Sequence, residues 1–118
     1  MLRALVALVA LAVSGLATAS TAYVTEFKER PPVTYQAAAV PALVNQAVTF
    51  TTASVQSAVF NYQTQLVRVH CDADCWVLFG TNPTATTSMM KIPAGGTEYF
   101  TIPATVPGGA LRLAVIGL

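Results

Sequence analysis

The sequence predicts an all-β domain, a small antiparallel β-sandwich or jelly-roll-like fold with an extended apolar N-terminal arm. Three observations predict this class. From Gln46 onward, short runs of β-branched and aromatic residues alternate with turn signals about every 8–12 residues. Two of these runs alternate apolar and polar residues with the period of a strand. Pro41 interrupts the apolar residues 37–44, so they cannot form a regular helix.

The chain of 118 residues is predicted to have three parts. Because residues 4–25 carry no charge, the chain begins with an unusually apolar stretch. Two adjacent prolines interrupt the polar segment that follows, which suits an extended linker. The predicted parts are an apolar N-terminal segment (1–20), an extended arm or linker (21–45) and the β-sandwich domain (46–118).

The N-terminal segment has three open interpretations. Arg3, the apolar stretch after it and the sequence Ala17-Thr18-Ala19 match the three parts of a secretory signal peptide. The run is also just long enough for a membrane helix, although its second half is poor for that role. The third interpretation is an ordered apolar arm buried against another protein.

Seven strands are predicted within the β-domain. Each run favours a strand, and from the third run onward clusters rich in Asp, Asn, Pro or Gly separate the runs. In the third strand, Val67, Val69 and Cys71 share one face, and the residues between them share the other. The predicted strands cover residues 47–52, 58–61, 66–71, 75–80, 89–92, 98–102 and 111–116.

The last predicted strand is apolar on both faces. Leu111, Leu113 and Val115 face one way, whereas Arg112, Ala114 and Ile116 face the other, so the second face is mostly apolar as well. Such a strand must be covered on both sides, and a neighbouring subunit is one possible cover. The predicted core consists of Val67, Val69, Val77, Phe79, Phe100, Ile102, Leu113 and Val115.

The charged residues exclude several classes of function. Only 9% of the residues are charged, the net charge is +1, and the six Lys and Arg residues are scattered. A nucleic-acid partner would require a basic patch, so none is expected. With one histidine and no oriented nucleophile and base, the chain is expected to be neither an enzyme nor a cofactor binder.

The densest cluster of reactive groups is the sequence HCDADC, residues 70–75. Cys71 and Cys75 could form a disulfide across a hairpin, remain reduced in the core, or ligate zinc together with His70 or an aspartate. Zinc is the weakest alternative, since a second Cys/His pair is missing. Cys71 and His70 are neighbours on a strand and therefore point to opposite faces, which argues against a catalytic pair.

The aromatic residues allow a binding interpretation as well as a structural one. Trp76, Phe79, Tyr99 and Phe100 are most simply core or sandwich-edge residues. A carbohydrate-binding platform would instead require exposed aromatic side chains on one face, a condition that only the structure can test.

Six segments resemble small tailed-bacteriophage virion proteins, over roughly residues 22–118. These segments are AYVTEF (22–27), VTFTT (48–52), VRV (67–69), CWVLFGTNPTA (75–85), IPAGGTEYF (92–100) and LAVI (113–116). In such phage proteins a β-sandwich of this size decorates or cements the head, or lies at a head–tail junction. Residues 1–20 depart from the pattern, because the phage proteins begin close to the first of these segments.

The resemblance implies a structural virion protein, most simply a capsid decoration or cement protein that bridges capsomers. It implies that the partners are the major capsid protein or other virion proteins. The apolar residues 2–16 and 37–44, together with the two apolar faces of the last strand, predict a homo-oligomer, with a trimer as the first choice. The alternative is an exported bacterial β-sandwich that binds a ligand or carbohydrate at the cell surface. The protein would then be secreted or periplasmic, with residues 1–19 removed, whereas contact with a membrane stays undecided.

Overall fold

The computed structural model describes residues 19–28, 41–103 and 108–118. These residues form eight strands and one short 3₁₀ turn, Gly108–Ala110. Residues 1–18 of the predicted apolar segment (1–20) and residues 29–40 of the predicted linker (21–45) lie outside the described residues. The strands are β1 (Ser20–Phe27), β2 (Val44–Phe50), β3 (Val55–Gln56), β4 (Leu66–Cys71), β5 (Cys75–Gly80), β6 (Met90–Ile92), β7 (Thr97–Thr101) and β8 (Arg112–Ile116).

The strands form two four-stranded antiparallel sheets. The first sheet has the order β2-β1-β4-β7, and the second has the order β3-β8-β5-β6. From β2 onward successive strands lie in alternate sheets, except that β5 and β6 are neighbours in the second sheet, and the resulting strand order is that of a jelly roll. In this chain β1 fills the place between β2 and β4 that the last strand of an ordinary jelly roll would occupy. The predicted fold class, an all-β antiparallel sandwich, is confirmed.

Strand β1 corrects the predicted boundary of the linker. We expected residues 21–45 to form an arm or linker, but Ser20–Phe27 lies in the middle of the first sheet and pairs with both β2 and β4. Ala22 and Val24 of this strand are buried in the core. The sheet therefore requires β1, and residues 46–118 alone would lack one of its central strands.

The predicted strand at residues 58–61 is wrong, and the short strand β3 precedes that position. Residues 57–60 do run beside β8, because Ser57 N donates to Leu113 O (2.7 Å) and Phe60 N donates to Leu111 O (3.0 Å). However, Leu113 N donates to the Ser57 hydroxyl (3.0 Å) instead of a backbone carbonyl. Because a side-chain oxygen accepts this hydrogen bond, the regular backbone pairing of β3 with β8 ends at Gln56.

The core lies between the two sheets and agrees largely with the predicted set. Phe79 and Phe100 differ from the prediction that placed them inside the core, because both are only half-buried. Their rings pack against each other at 4.8 Å between centroids, beside the core and open to solvent at one edge. The buried members of the predicted set are Val67, Val69, Val77, Ile102, Leu113 and Val115.

Residues 81–89, here called the outer loop, cover the outer face of the second sheet. Gln56 Nε2 donates to Asn82 Oδ1 (2.9 Å) and to Pro83 O (2.8 Å). Ala85 N donates to Ser54 Oγ (2.9 Å), which fastens the far side of the loop next to β3. Ala114, on the outer face of β8, is fully buried. The loop is thus fastened beside Ala114 on the second apolar face of β8, since Gln56 pairs with Ala114, whereas Ile116 on the same face is half-buried.

Candidate functional site

The two cysteines form a disulfide that joins the sheets. Cys71 ends β4 in the first sheet and Cys75 begins β5 in the second, with 6.4 Å between their Cα atoms. Both residues are fully buried. The bond therefore connects the two layers at a corner of the sandwich, whereas we had considered a bridge across one hairpin.

This bond removes the groups that a zinc site or a thiol nucleophile would use. Zinc ligation by cysteine and nucleophilic attack by cysteine both require a free thiolate. The sulfur atoms of Cys71 and Cys75 are instead bonded to each other. The described residues also contain no group of three or more His, Cys, Asp or Glu side chains arranged to hold a metal ion.

The aspartates of the HCDADC sequence hold neighbouring backbone in place. Thr21 N donates to Asp72 Oδ1 (2.8 Å), which fastens the start of β1 to the β4–β5 turn. Ala94 N donates to Asp74 Oδ1 (2.8 Å), and Lys91 Nζ lies 3.4 Å from Asp74 Oδ2. The bond from Ala94, with a smaller contribution from Lys91, holds the pKa of Asp74 below its usual value of 3.8.

A buried carboxylate lies at the opposite end of β1. Glu26 is fully buried, and its Oε1 accepts hydrogen bonds from Asn61 N (2.7 Å) and Thr64 Oγ1 (2.8 Å). Its Oε2 accepts from Gln46 Nε2 (2.8 Å). Gln46 Oε1 in turn accepts from Ala58 N (2.9 Å). The cluster ties β1 and β2 to the segment before β4, and its donors satisfy the carboxylate as a buried charge requires.

The outer surface of the first sheet is the candidate functional site, here called the tyrosine face. Its side chains lie in two rows across β1, β4 and β7. Tyr23 is 47% exposed and Tyr99 is 50% exposed, one in each row. Thr25, Arg68 and Tyr99 form one row, and Tyr23, His70 and Thr97 form the other; Asn45 of β2 lies beside Thr25.

The imidazole of His70 is held in a defined orientation on this face. Its Nδ1 lies 2.8 Å from the Thr97 hydroxyl. The rings of Tyr23 and His70 are 6.3 Å apart between centroids and inclined at 40°. These contacts direct the second ring nitrogen, Nε2, away from Thr97. His70 and Cys71 face opposite sides of β4, as expected for adjacent strand residues.

A groove of about 410 Å³ runs along the tyrosine face, and Tyr23, Asn45, Arg68 and His70 are among its lining residues. Arg68 is half-buried, and its guanidinium has no hydrogen bond or ion pair with residues 19–28, 41–103 or 108–118. The groove therefore combines a cation with an oriented imidazole, an amide and an exposed aromatic ring. Such a set can bind an anion that also carries hydroxyl groups.

Sequence reasoning identified His70, Cys71 and Cys75 but missed Tyr23, Asn45, Arg68 and Glu26 as members of sites. Tyr23 and Glu26 lie on β1, which the sequence analysis placed in a linker. Asn45 lies just before the predicted start of the domain. Ala22, Val24 and Glu26 occupy alternate, inward-facing positions, and this period of two was the available signal for a strand. The third of these residues is a carboxylate instead of an apolar residue, so the sequence pattern did not show the strand.

Comparison with family models, curated proteins and solved structures finds no match for this chain. Across the described ranges, the structure has no helix with the length and apolar character needed to cross a membrane.

Proposed function

We propose that this chain is a structural virion protein of a bacteriophage, a capsid decoration or cement protein that stabilises the head by bridging capsomers. The observation that carries the proposal is the jelly-roll-like order of the two sheets, a sandwich that viral capsid proteins use. This is an analogy of fold, which by itself does not fix function. The resemblance of residues 22–27, 48–52 and 75–85 to small phage virion proteins supports the same proposal.

In this proposal the N-terminal segment attaches the sandwich to the capsid. Residues 1–18 are apolar apart from a few small polar residues and Arg3, and residue 19 leads directly into β1. Ser20 lies at the end of the sandwich that also holds Gly117 and Leu118. Covering an apolar segment with a neighbouring protein lowers the free energy of the assembly. The proposed partner is the major capsid protein, and the proposed oligomer is a trimer.

The proposed trimer depends on the apolar segments that precede β1 and β2. Three features of the sequence predict an oligomer: the apolar N-terminal segment, the apolar residues 37–44 and the two apolar faces of β8. The outer loop is fastened beside the second face of β8 by the bonds of Gln56 and Ala85, and Ala114 on that face is buried. The N-terminal segment and residues 37–44 therefore support the proposal of a neighbouring subunit.

A second candidate function is an exported β-sandwich that binds a ligand at the cell surface. Two observations favour it. A disulfide persists in oxidising compartments, and Cys71 and Cys75 are bonded. In addition, the sequence Ala17-Thr18-Ala19 ends one residue before β1 begins at Ser20, so cleavage there would leave every described strand intact.

One experiment separates the two candidates. Phage particles from the source strain are purified on a density gradient, and the chain and the major capsid protein are quantified by mass spectrometry. The virion proposal expects a fixed ratio between the two proteins and an N-terminal peptide that begins at Met1 or Leu2. A chain that begins at Ser20, occurs in the periplasm or medium and is absent from particles would support the exported candidate instead.

A further inference from the structure

The tyrosine face meets the condition that a carbohydrate platform imposes, since exposed aromatic rings lie on one face of the sheet. Tyr23 on β1 and Tyr99 on β7 are both about half exposed. Their strands are separated by β4, so the two backbones lie about 10 Å apart across the sheet. The groove lies at the Tyr23 side of this span, where Tyr23, Arg68 and His70 line it. The apolar C–H face of a sugar ring can pack on such an aromatic side chain.

The charge of the face selects an acidic ligand. Arg68 is half-buried, and no carboxylate among the described residues pairs with it. The carboxylates nearest along the chain are engaged elsewhere, since Asp72 accepts from Thr21 N and Asp74 accepts from Ala94 N. On the strands beside β4, Glu26 is buried on the inner side of β1, and Glu98 lies opposite the inward-facing Val69. A guanidinium donates two parallel hydrogen bonds to a carboxylate, so a ligand with a carboxylate would satisfy Arg68.

The remaining groups suit hydroxyls better than a protein surface or a nucleic acid. Asn45 and Thr25 both line the groove and can donate and accept hydrogen bonds, whereas Ala47 is its small apolar member. The centre of a protein–protein interface is more apolar and poorer in charge than this groove. Nucleic acid would require several cations that follow a phosphate backbone, whereas the described residues of this face include a single arginine, Arg68, beside the imidazole of His70.

We propose that the tyrosine face binds an acidic saccharide, with the carboxylate of the sugar on Arg68 and its ring on Tyr23. His70 Nε2 and Asn45 bond the sugar hydroxyls. The site goes beyond an assembly role, because it lies on the outer face of the first sheet, whereas attachment to the capsid is assigned to residues 1–18. The same site would serve a decorated virion or an exported protein, so the two proposals can fail separately.

Binding of the purified full chain to an array of glycans tests the proposal. The array carries uronate-, sialate- and ketodeoxyoctonate-containing glycans beside their neutral counterparts, and titration calorimetry with the best acidic glycan follows. The expected result is binding of acidic glycans only. Arg68→Gln and Tyr23→Ala should each weaken it by about tenfold or more, the loss of one charge-assisted or stacking contact.

Arg112→Gln is the matched control, because Arg112 is also a half-buried strand arginine but belongs to the second sheet. It should bind the glycan as the wild type does. Thermal melting curves of the three variants establish that they are folded. Binding to no acidic glycan, equal binding of neutral glycans, or unchanged affinity in folded Arg68→Gln would each overturn the proposal. Capture of an acidic protein through Arg68 with no glycan binding would also overturn it.

Discussion

Glu26 joins three parts of the sandwich through one buried carboxylate. It lies on β1, and its oxygen atoms accept hydrogen bonds from Gln46 on β2 and from Asn61 and Thr64 before β4. A buried charge is tolerated only when such donors replace water, and removal of the acceptor leaves those donors unsatisfied. Glu26 therefore acts as a structural residue of the core, although its side chain is polar.

We predict that Glu26→Ala lowers the free energy of unfolding by about 3 kcal/mol, since buried donors lose their acceptor. Urea denaturation followed by circular dichroism measures this change. Glu98→Ala is the control, because Glu98 lies on an exposed position of β7, and it should change stability by less than about 0.5 kcal/mol. Equal effects of the two substitutions would show that Glu26 is not buried as described.

Asp74 makes stability depend on pH in the acidic range. Because hydrogen bonding from Ala94 N lowers the pKa of Asp74, its contribution is complete above the pKa of the unfolded chain. The contribution is lost as the pH falls through the lower pKa of the folded state. The urea midpoint of the wild type should therefore exceed that of Asp74→Asn near neutral pH and approach it below about pH 3. A difference that stays constant between about pH 6 and about pH 2 would contradict this origin.

At the scale of elements, the disulfide connects β4 and β5, which do not pair through their backbones. The two strands follow one another in the chain but belong to different sheets, and the Cys71–Cys75 bond holds their corner closed. The loop it closes is short, so the entropy that the bond removes from the unfolded chain is modest.

We predict that Cys71→Ala with Cys75→Ala lowers the free energy of unfolding by about 2 kcal/mol, the value for a short closed loop. Chemical denaturation with and without dithiothreitol measures the effect. The reductant should destabilise the wild type by a similar amount and leave the double variant unchanged. A wild type that is insensitive to the reductant and equal in stability to the double variant would contradict a stabilising disulfide.

The outer loop can be followed with the single tryptophan of the chain. Trp76 lies on the outer face of the second sheet, is only 8% exposed and has Lys91 Nζ 5.4 Å from its ring centroid.

Gln56→Ala removes the two bonds that hold the loop at Asn82 and Pro83. We expect about 1 kcal/mol of lost stability and greater acrylamide quenching of Trp76. Gln63→Ala, at an exposed position before β4, should leave quenching unchanged; equal quenching in both variants would show that the loop does not cover Trp76.

Strands were predictable where alternation and turn chemistry agree. Leu66–Cys71 and Cys75–Gly80 match their predicted bounds, because β-branched residues alternate in β4 and two aspartates mark the turn between the strands. Ser20–Phe27 was missed because its start is continuous with an apolar run that resembles a signal peptide. The tyrosine face could not be predicted, since it depends on β1 lying beside β4, a long-range pairing that local sequence does not encode.

At the scale of the whole molecule, β1 makes the N-terminal region part of the folding unit. It contributes seven register pairs with β2 and six with β4. A deletion that removes β1 therefore separates β2 from the rest of the first sheet, whereas a deletion that stops before residue 19 spares every described strand. Any deletion that tests attachment through the N-terminal segment must therefore end before β1.

Deletion of residues 2–18 tests the proposed mode of attachment most directly. The truncated chain and the full chain are each supplied to phage particles that lack the protein, and occupancy is quantified by mass spectrometry. We predict that the truncated chain melts within about 3 °C of the full chain, since no described strand is lost, but does not bind the particles. A folded truncated chain that decorates the particles at full occupancy would contradict attachment through the N-terminal segment.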